Sequence, residues 1–404
     1  MDAKSVGASI ARLRKRCGMT QTQLAARLSI SDKTISRWES GLGYPEVTIF
    51  PNLAAVLGVT VDYIMTGERK GILIAGSINT DVFKIVDNYL DNAMLANIIE
   101  MRQAVGGCVP NTAINLAKLD PALPVAVSGR VGDDAQGRYI VSQMMHYGVN
   151  CERLIVSADH PTGLCDVISL GPDKRTLLCA KGANAEYAPE DVDFTGLNCA
   201  ILHIGYIPFL DKFVKSDSQY GTVMAKFLCD VQQKGIKTSI DVASYTDADN
   251  CANVAPALKY CNYAIVNEID SGMVSGSGPY NADGSINIEA IRETMDSMVS
   301  LGVKNKVIVC CREMSFCLDV PTGAFTMIPS LNIPDRLMKG NTGFSDAFSA
   351  GSLYGIYYNY DDQHLLEFAS AAAACSLLAE NSTDGMRNRV EVEKLYCKYK
   401  TKSN

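Results

Sequence analysis

The chain has one tryptophan and four histidines in 404 residues, and aromatics make up only 7% of it. The histidines are dispersed, so none has the spacing of a metal-ligand motif. Cysteines are more numerous, at fourteen, but no C-x-x-C pair occurs and several sit inside apolar runs such as "VIVCCRE". That pattern argues against a zinc site or a secreted disulfide framework, and predicts buried free thiols in a reducing compartment. No apolar stretch is long enough to span a bilayer; the best candidate, residues 369–379, is short and alanine-rich. The N-terminal segment has no apolar signal core, only the charges of Arg12, Arg14, Lys15 and Arg16. These absences predict a cytoplasmic protein with no membrane partner.

What is present suffices for two or more domains with a sizeable core, since 47% of residues are hydrophobic and 20% charged. Charge is uneven. Residues 1–70 hold ten Lys/Arg against six Asp/Glu, and the remainder 27 against 38. A head of net +4 thus precedes a body of net −11, which points to two domains with different partners.

Residues 1–67 read as helical throughout. Thr20 and Gln23 have capping-box spacing, after which Leu24, Ala25 and Leu28 make one apolar face. Ser31 or Asp32 is placed to cap a following helix, which stops before Gly41. Ile35 and Trp38 share one face of that helix, while Lys33, Ser36 and Arg37 project elsewhere. Two short helices joined by a tight turn, the second with a polar outer face, follow the helix-turn-helix plan. A five-helix module for protein contacts would show the same periodicity. The text from "IARLRKRCGMTQTQLAARL" through "LAAVLGVTVDYIMTGE" resembles the Cro/repressor (XRE) family of DNA-binding domains. The resemblance implies that Gln21 and Lys33 approach phosphates or base edges, and that Ser36 and Arg37 lie in the major groove of a double-stranded operator. It also implies a homodimer on two half-sites.

After a polar linker, residues 68–71, the period changes. "ILIAGSI", "PVAVSG", "CAILHIG", "KTSIDV", "NYAIVN" and "VKNKVIVCC" are apolar runs of strand length. Helical stretches at 109–119, 137–147, 218–234 and 288–301 lie between them. This alternation predicts an α/β body, 72–400, with a mostly parallel sheet covered on both faces. Residues 81–104, "GLCDVISL" and "KRTLLCA" break the alternation and read as a small antiparallel sheet, a candidate lid. "GSINTD" offers an amide and a carboxylate suited to polyol hydroxyls. "VGGC" lets backbone approach a ligand, and "NEID" ends a strand with groups fit for a hydrated Mg²⁺.

The order of these motifs resembles the ribokinase (PfkB) carbohydrate kinase family over residues 72–390. The resemblance implies a ribokinase-like three-layer α/β/α domain with a small β lid behind the all-α head. It assigns sugar or nucleoside binding to Asn79, Asp81, Gly106, Gly107 and Asn111. Asn267 and Asp270 match the N-x-x-E magnesium and phosphate motif, with Asp for Glu, so Mg²⁺ is implied there through water. "GNTGFSDAF" matches the D-T-T-G-A-G-D loop, which makes Asp346 the catalytic base for phosphoryl transfer from ATP. Backbone N–H groups at Gly343, Phe344 and Ser345, where a helix starts, would form the anion hole.

The chain departs from the pattern on the nucleotide side. Phe344 and Ser345 replace Ala and Gly, and Gly340 and Asn341 replace Asp and Thr. In "VIVCCREMSF" Arg312 stands where the family has a glycine-containing loop, placed to contact a phosphate or to block it. Cys108 stands in place of the lysine of ribokinases, and Tyr206 in place of a sugar-binding glutamate. Two readings follow: an ATP-dependent sugar or nucleoside kinase with a DNA-binding head, or a catalytically silent metabolite sensor on the same fold that regulates transcription.

Overall fold

The computed structural model describes residues 2–88, 95–170, 174–242, 250–275, 278–340 and 342–401. They form two compact units, Met1–Gly71 with Asp193–Ala200, and Ile72–Val192 with Ile201–Asn404.

The first unit holds five helices: α1 (Ala3–Arg16), α2 (Gln21–Leu28), α3 (Asp32–Glu39), α4 (Phe50–Leu57) and α5 (Val61–Thr66). Thr20 and Gln23 close a reciprocal capping box on α2, and Ser31 rather than Asp32 caps α3. Ile10, Leu13, Leu24, Ile35, Trp38, Leu53 and Ile64 form its core. One ion pair sits under this core's edge. The Arg14 guanidinium donates to both carboxylate oxygens of Glu39, at 2.6 and 2.8 Å, and to the Met19 carbonyl. Burial pushes the Glu39 carboxyl up, but hydrogen bonds from Arg14 and Gln21 outweigh it and hold the group below its ordinary range.

The second unit begins with β1 (Ile72–Gly76), β2 (Asn79–Val86), β3 (Ile98–Gly106), α6 (Cys108–Leu119), β4 (Val125–Gly132), α7 (Ala135–His146) and β5 (Asn150–Ser157). Then come β6 (Gly163–Leu170), β7 (Lys174–Ala180), β8 (Ile201–Gly205), the short hairpin β9 (Ser216–Asp217) and β10 (Gly221–Thr222), α8 (Val223–Gln233) and β11 (Lys237–Ile240). The remainder is α9 (Asn250–Leu258), β12 (Tyr263–Asn267), α10 (Glu268–Ser275), α11 (Ile288–Leu301), β13 (Lys306–Cys310), β14 (Met314–Asp319), β15 (Phe325–Pro329), α12 (Phe344–Tyr357), α13 (Asp362–Ser376) and α14 (Arg389–Tyr399).

The main sheet runs β15-β14-β13-β12-β11-β8-β1-β4-β5. From β13 to β5 every pairing is parallel; β14 and β15 add antiparallel strands at one edge. β1 lies between β4 and β8, so the strand order reverses there and a crevice opens at the carboxyl ends, where ligands collect in open α/β sheets. α6, α12 and α13 pack together, and α8, α9, α10 and α11 form a second group. Most of the alanine-rich run, up to Ser376, lies in the buried helix α13. Its Ala369 approaches α12 so closely that a Cβ at Gly351 would stand 2.7 Å from its Cα. Among the described residues no helix is long and apolar enough to cross a membrane.

Three expectations need correction. The helix predicted over 218–234 starts at Val223: residues 216–222 form the β9–β10 hairpin, with Gly221 opening β10 at φ +86°, and Thr222 caps the helix. The helix predicted from 137 starts two residues earlier, because Asp134 caps it. The lid sheet, β3-β2-β6-β7, is mixed rather than antiparallel, since β2 and β6 run parallel. Residues 89–94, part of the lid segment, and Asn341 lie outside the described residues.

Removing Glu39 leaves the Arg14 charge without its carboxylate, so Glu39→Ala should destabilise the helical unit by about 3 kcal/mol. Fluorescence of Trp38, the chain's one tryptophan and buried in that unit, reads this unfolding selectively. An unchanged melting curve would show the pair to be dispensable.

Candidate active site

Gly343 precedes α12 at φ 73°, and no side chain caps the helix start. The turn admits nothing larger, because a Cβ at Gly343 would meet Ser382 Cβ at 2.3 Å. The first-turn N–H groups of Phe344, Ser345 and Asp346 are thus fixed in place by backbone packing, with Phe344 and Ser345 half-buried. Asp346 lies in this first turn and is 1% exposed. Its side chain does not cap the helix. Oδ2 accepts hydrogen bonds from Asn111 Nδ2 at 2.9 Å and from the Tyr206 hydroxyl at 3.2 Å. Among the described residues, Oδ1 and the Asn111 Oδ1 are buried without a hydrogen-bond partner, so two acceptors await a donor.

The predicted substrate residues converge from the lid and α6. Asn79 and Asp81 lie at the start of β2, and Gly106 closes β3 opposite Asn79. Gly106 must lack a Cβ, which would stand 2.0 Å from Asp81 Oδ1. Gly107, at φ 84°, packs against the Ser77 carbonyl and starts α6, whose first turn carries Asn111. Two contributors escaped the sequence reading. Asn184 fastens the β1–β2 junction by accepting from Ile78 N and donating to the Ile78 carbonyl and Asn79 Oδ1. No periodicity or spacing marks it. Asp241 follows β11 and is 2% exposed; a carboxylate closing "KTSIDV", at the carboxyl end of a buried strand, was its signal.

These carboxylates share a low-dielectric site. Burial, and then the neighbouring Asp346 charge, pushes Asp81 well above its ordinary range. Burial, and then the charges of Asp270 and Asp346, does the same to Asp241. Asp346 is pushed up to about 6 by burial, against the opposing hydrogen bonds from Asn111 and Tyr206. Tyr206 reaches it from a left-handed backbone, φ 55°, a costly conformation for a non-glycine residue.

Asn267 and Asp270 come together at the end of β12 and start of α10, bonded reciprocally: Nδ2 to Oδ2 at 2.7 Å and backbone N to Oδ1 at 2.8 Å. Among the described residues no three His, Cys, Asp or Glu side chains gather as a metal-binding group. An ion beside this pair would draw most of its ligands from phosphate oxygens and water, as Mg²⁺ commonly does. Arg312 is exposed at the β13–β14 turn and lines a cavity of about 1000 Å³ between the lid, residues 338–340 with Thr342, and the segment from Leu378 to Arg387. The cavity includes Gly340 and Thr342, so it reaches the loop that feeds the uncapped end of α12. Uncapped amides beside a roomy cavity with basic side chains fit a nucleotide's phosphates.

In the first unit Lys33, Ser36 and Arg37 are all exposed on α3. Gln21 is half-buried and its Nε2 donates to Glu39 Oε2 at 2.8 Å, so its amide is partly committed inside the unit.

With this geometry in view, the chain matches the pfkB family carbohydrate kinases over residues 69–389 and a helix-turn-helix family over 10–64. The protein belongs to the PfkB carbohydrate kinase family and carries a helix-turn-helix domain ahead of that fold. It is 23% identical to a 5-dehydro-2-deoxygluconokinase of Bacillus licheniformis across 313 residues, 75% of this chain and 90% of that protein. Over 79 residues, 20% of this chain and 38% of that one, it is 37% identical to the HTH-type transcriptional activator BcrR of Enterococcus faecalis. Among solved structures, ribokinase of Arabidopsis thaliana with ribose and ATP superposes with a TM-score of 0.67 at 19% identity, over 81% of this chain and 99% of that one. The fold is therefore ribokinase-like.

Asp346 holds its proton to about pH 6 in the fold but ionises near 3.8 when unfolded. Raising the pH through that window charges a buried group and costs stability, so the sign is destabilising with rising pH. Asp346→Asn should then stabilise the protein at pH 8 by on the order of 3 kcal/mol, a gain that shrinks to about half at pH 5. Denaturant unfolding at the two pH values measures it, and a pH-independent difference would contradict the shift.

Proposed function

We propose that the body transfers the γ-phosphoryl group of ATP to a hydroxyl of a sugar, sugar-like polyol or nucleoside, and that the head binds a DNA operator as a homodimer. The observation that carries the catalytic half is Asp346, buried in the first turn of an uncapped helix with one carboxylate oxygen held by two donors and the other unpartnered among the described residues. The open Oδ1 is the atom for the substrate hydroxyl's proton. A carboxyl pushed up to about 6 is charged at pH 7 yet basic enough to take it. Asn111 and Tyr206 orient it. Asn79, Asp81 and the Gly106-Gly107 backbone position the hydroxyl-bearing ligand, and the amides of residues 344–346 stabilise charge on a phosphoryl oxygen. MgATP, when bound, supplies the phosphoryl group and a counter-charge for it. Its phosphates would lie against Gly343, Phe344, Ser345 and Arg312, with the ion near Asn267 and Asp270 through water.

The replacements at Phe344 and Ser345 are compatible with this reading, because amides rather than side chains do the binding. Half-buried Phe344 at the helix start is also what favours the second reading, a sensor that binds a metabolite without turnover. Titration calorimetry with MgATP separates the two. Binding by both the parent chain and Asp346→Asn, with transfer to a sugar or nucleoside panel falling about 10²–10⁴-fold in the variant, supports the kinase. Absence of nucleotide binding at millimolar concentration leaves the sensor.

For the head, Lys33→Ala and Arg37→Ala should each weaken binding to a selected operator and lower the slope of log K against log salt by about one. Binding by both variants indistinguishable from the parent would remove α3 from the interface.

A further inference from the structure

The lid brings two thiols together that lie fourteen positions apart in sequence. Cys165 on β6 and Cys179 on β7 are directly opposed partners in an antiparallel pair, and Asp81 on β2 is opposite Cys165 in the next pair. Opposed residues share a face of a sheet, so Asp81, Cys165 and Cys179 form one row. Phe83, Ile85, Val167 and Ser169 lie at two-residue steps from that row and line the cavity, so the row faces the cleft. Both cysteines are free; Cys165 is buried and Cys179 exposed. Opposed residues in antiparallel strands stand about 4.5–5.5 Å apart at Cα, inside the span a disulfide accepts. Their thiols are unequal. Cys165 is pushed up by the hydrogen bond it gives Cys179 and by burial, whereas receiving that bond lowers Cys179. An exposed sulfur favouring the thiolate beside a buried protonated one is an attacking and resolving pair.

We propose that Cys165 and Cys179 form a reversible dithiol–disulfide site on the cleft face of the lid, oxidised by low-molecular-weight disulfides. The Cys179 thiolate attacks one sulfur of the small disulfide and expels one thiolate, leaving a mixed disulfide. The Cys165 sulfur then attacks Cys179 Sγ, its proton passing to the second departing thiolate. Two protein thiols are oxidised and one small disulfide is reduced to two thiols. The new bond ties β6 to β7 beside Asp81.

The test uses the full chain equilibrated with oxidised and reduced glutathione, quenched by alkylation, and read by intact mass and peptide mapping. The expected product is a Cys165–Cys179 cross-linked peptide with loss of two hydrogens, reversed by excess reduced glutathione. Cys165→Ser should stop at a glutathione adduct on Cys179. A lasting adduct on Cys179 in the parent chain overturns the pairing. Reaction confined to exposed residues such as Cys17 and Cys397 overturns the site altogether. Because sulfur chemistry alone is read, the result stands whether or not the body transfers phosphate.

Discussion

Removing water from around Asp346 is the constraint from which the rest of the body's design follows. A carboxylate there has lost its hydration, and the described residues return two hydrogen bonds, both to the same oxygen. The opposite oxygen is left with an unmet need that a ligand hydroxyl can fill. α6 exists at that depth to deliver Asn111, the strained backbone at Tyr206 to deliver a phenol, and Gly343 to set the helix start against Ser382. The crevice at the β1 switch point gives these groups a common focus. Asp81 and Asp241, crowded into the same region, share the electrostatic cost, which is highest when the site is empty and falls when donors arrive.

Much of this was legible beforehand, for physical reasons. Long apolar runs of strand length and an ordered set of loop residues define a parallel α/β body, and capping chemistry at Thr20 and Ser31 defines the head. Local signals failed where a single residue outweighed the pattern. Gly221 and Asp134 each moved a helix boundary, and the lid's parallel β2–β6 pairing depends on partners more than eighty residues apart, which no local period encodes. Asn184 was invisible for the same reason, since its function is to bridge segments over a hundred positions distant. Asp346, Asn111 and Tyr206 were each picked out singly; that they touch was not readable, because contact is a product of packing.

The head follows a different economy from the body. Its core is a small set of aliphatic residues around Trp38, closed at the edge by the Arg14–Glu39 pair, and its exposed α3 side chains are free to vary without loss of that core. Gln21 is the exception, as its amide helps hold Glu39. A position that serves both packing and an interface changes both when it mutates, whereas Lys33, Ser36 and Arg37 can be retuned one at a time.

The close contact between Gly343 and Ser382 bears on how such loops drift over evolutionary time. The amides at the start of α12 belong to the backbone, so neighbouring letters can be exchanged freely while the turn keeps its shape. Selection would then preserve one glycine and one aspartate and let the residues between them wander. Consensus matching scores such a loop as decayed, although the part that meets the ligand has no side chain to lose.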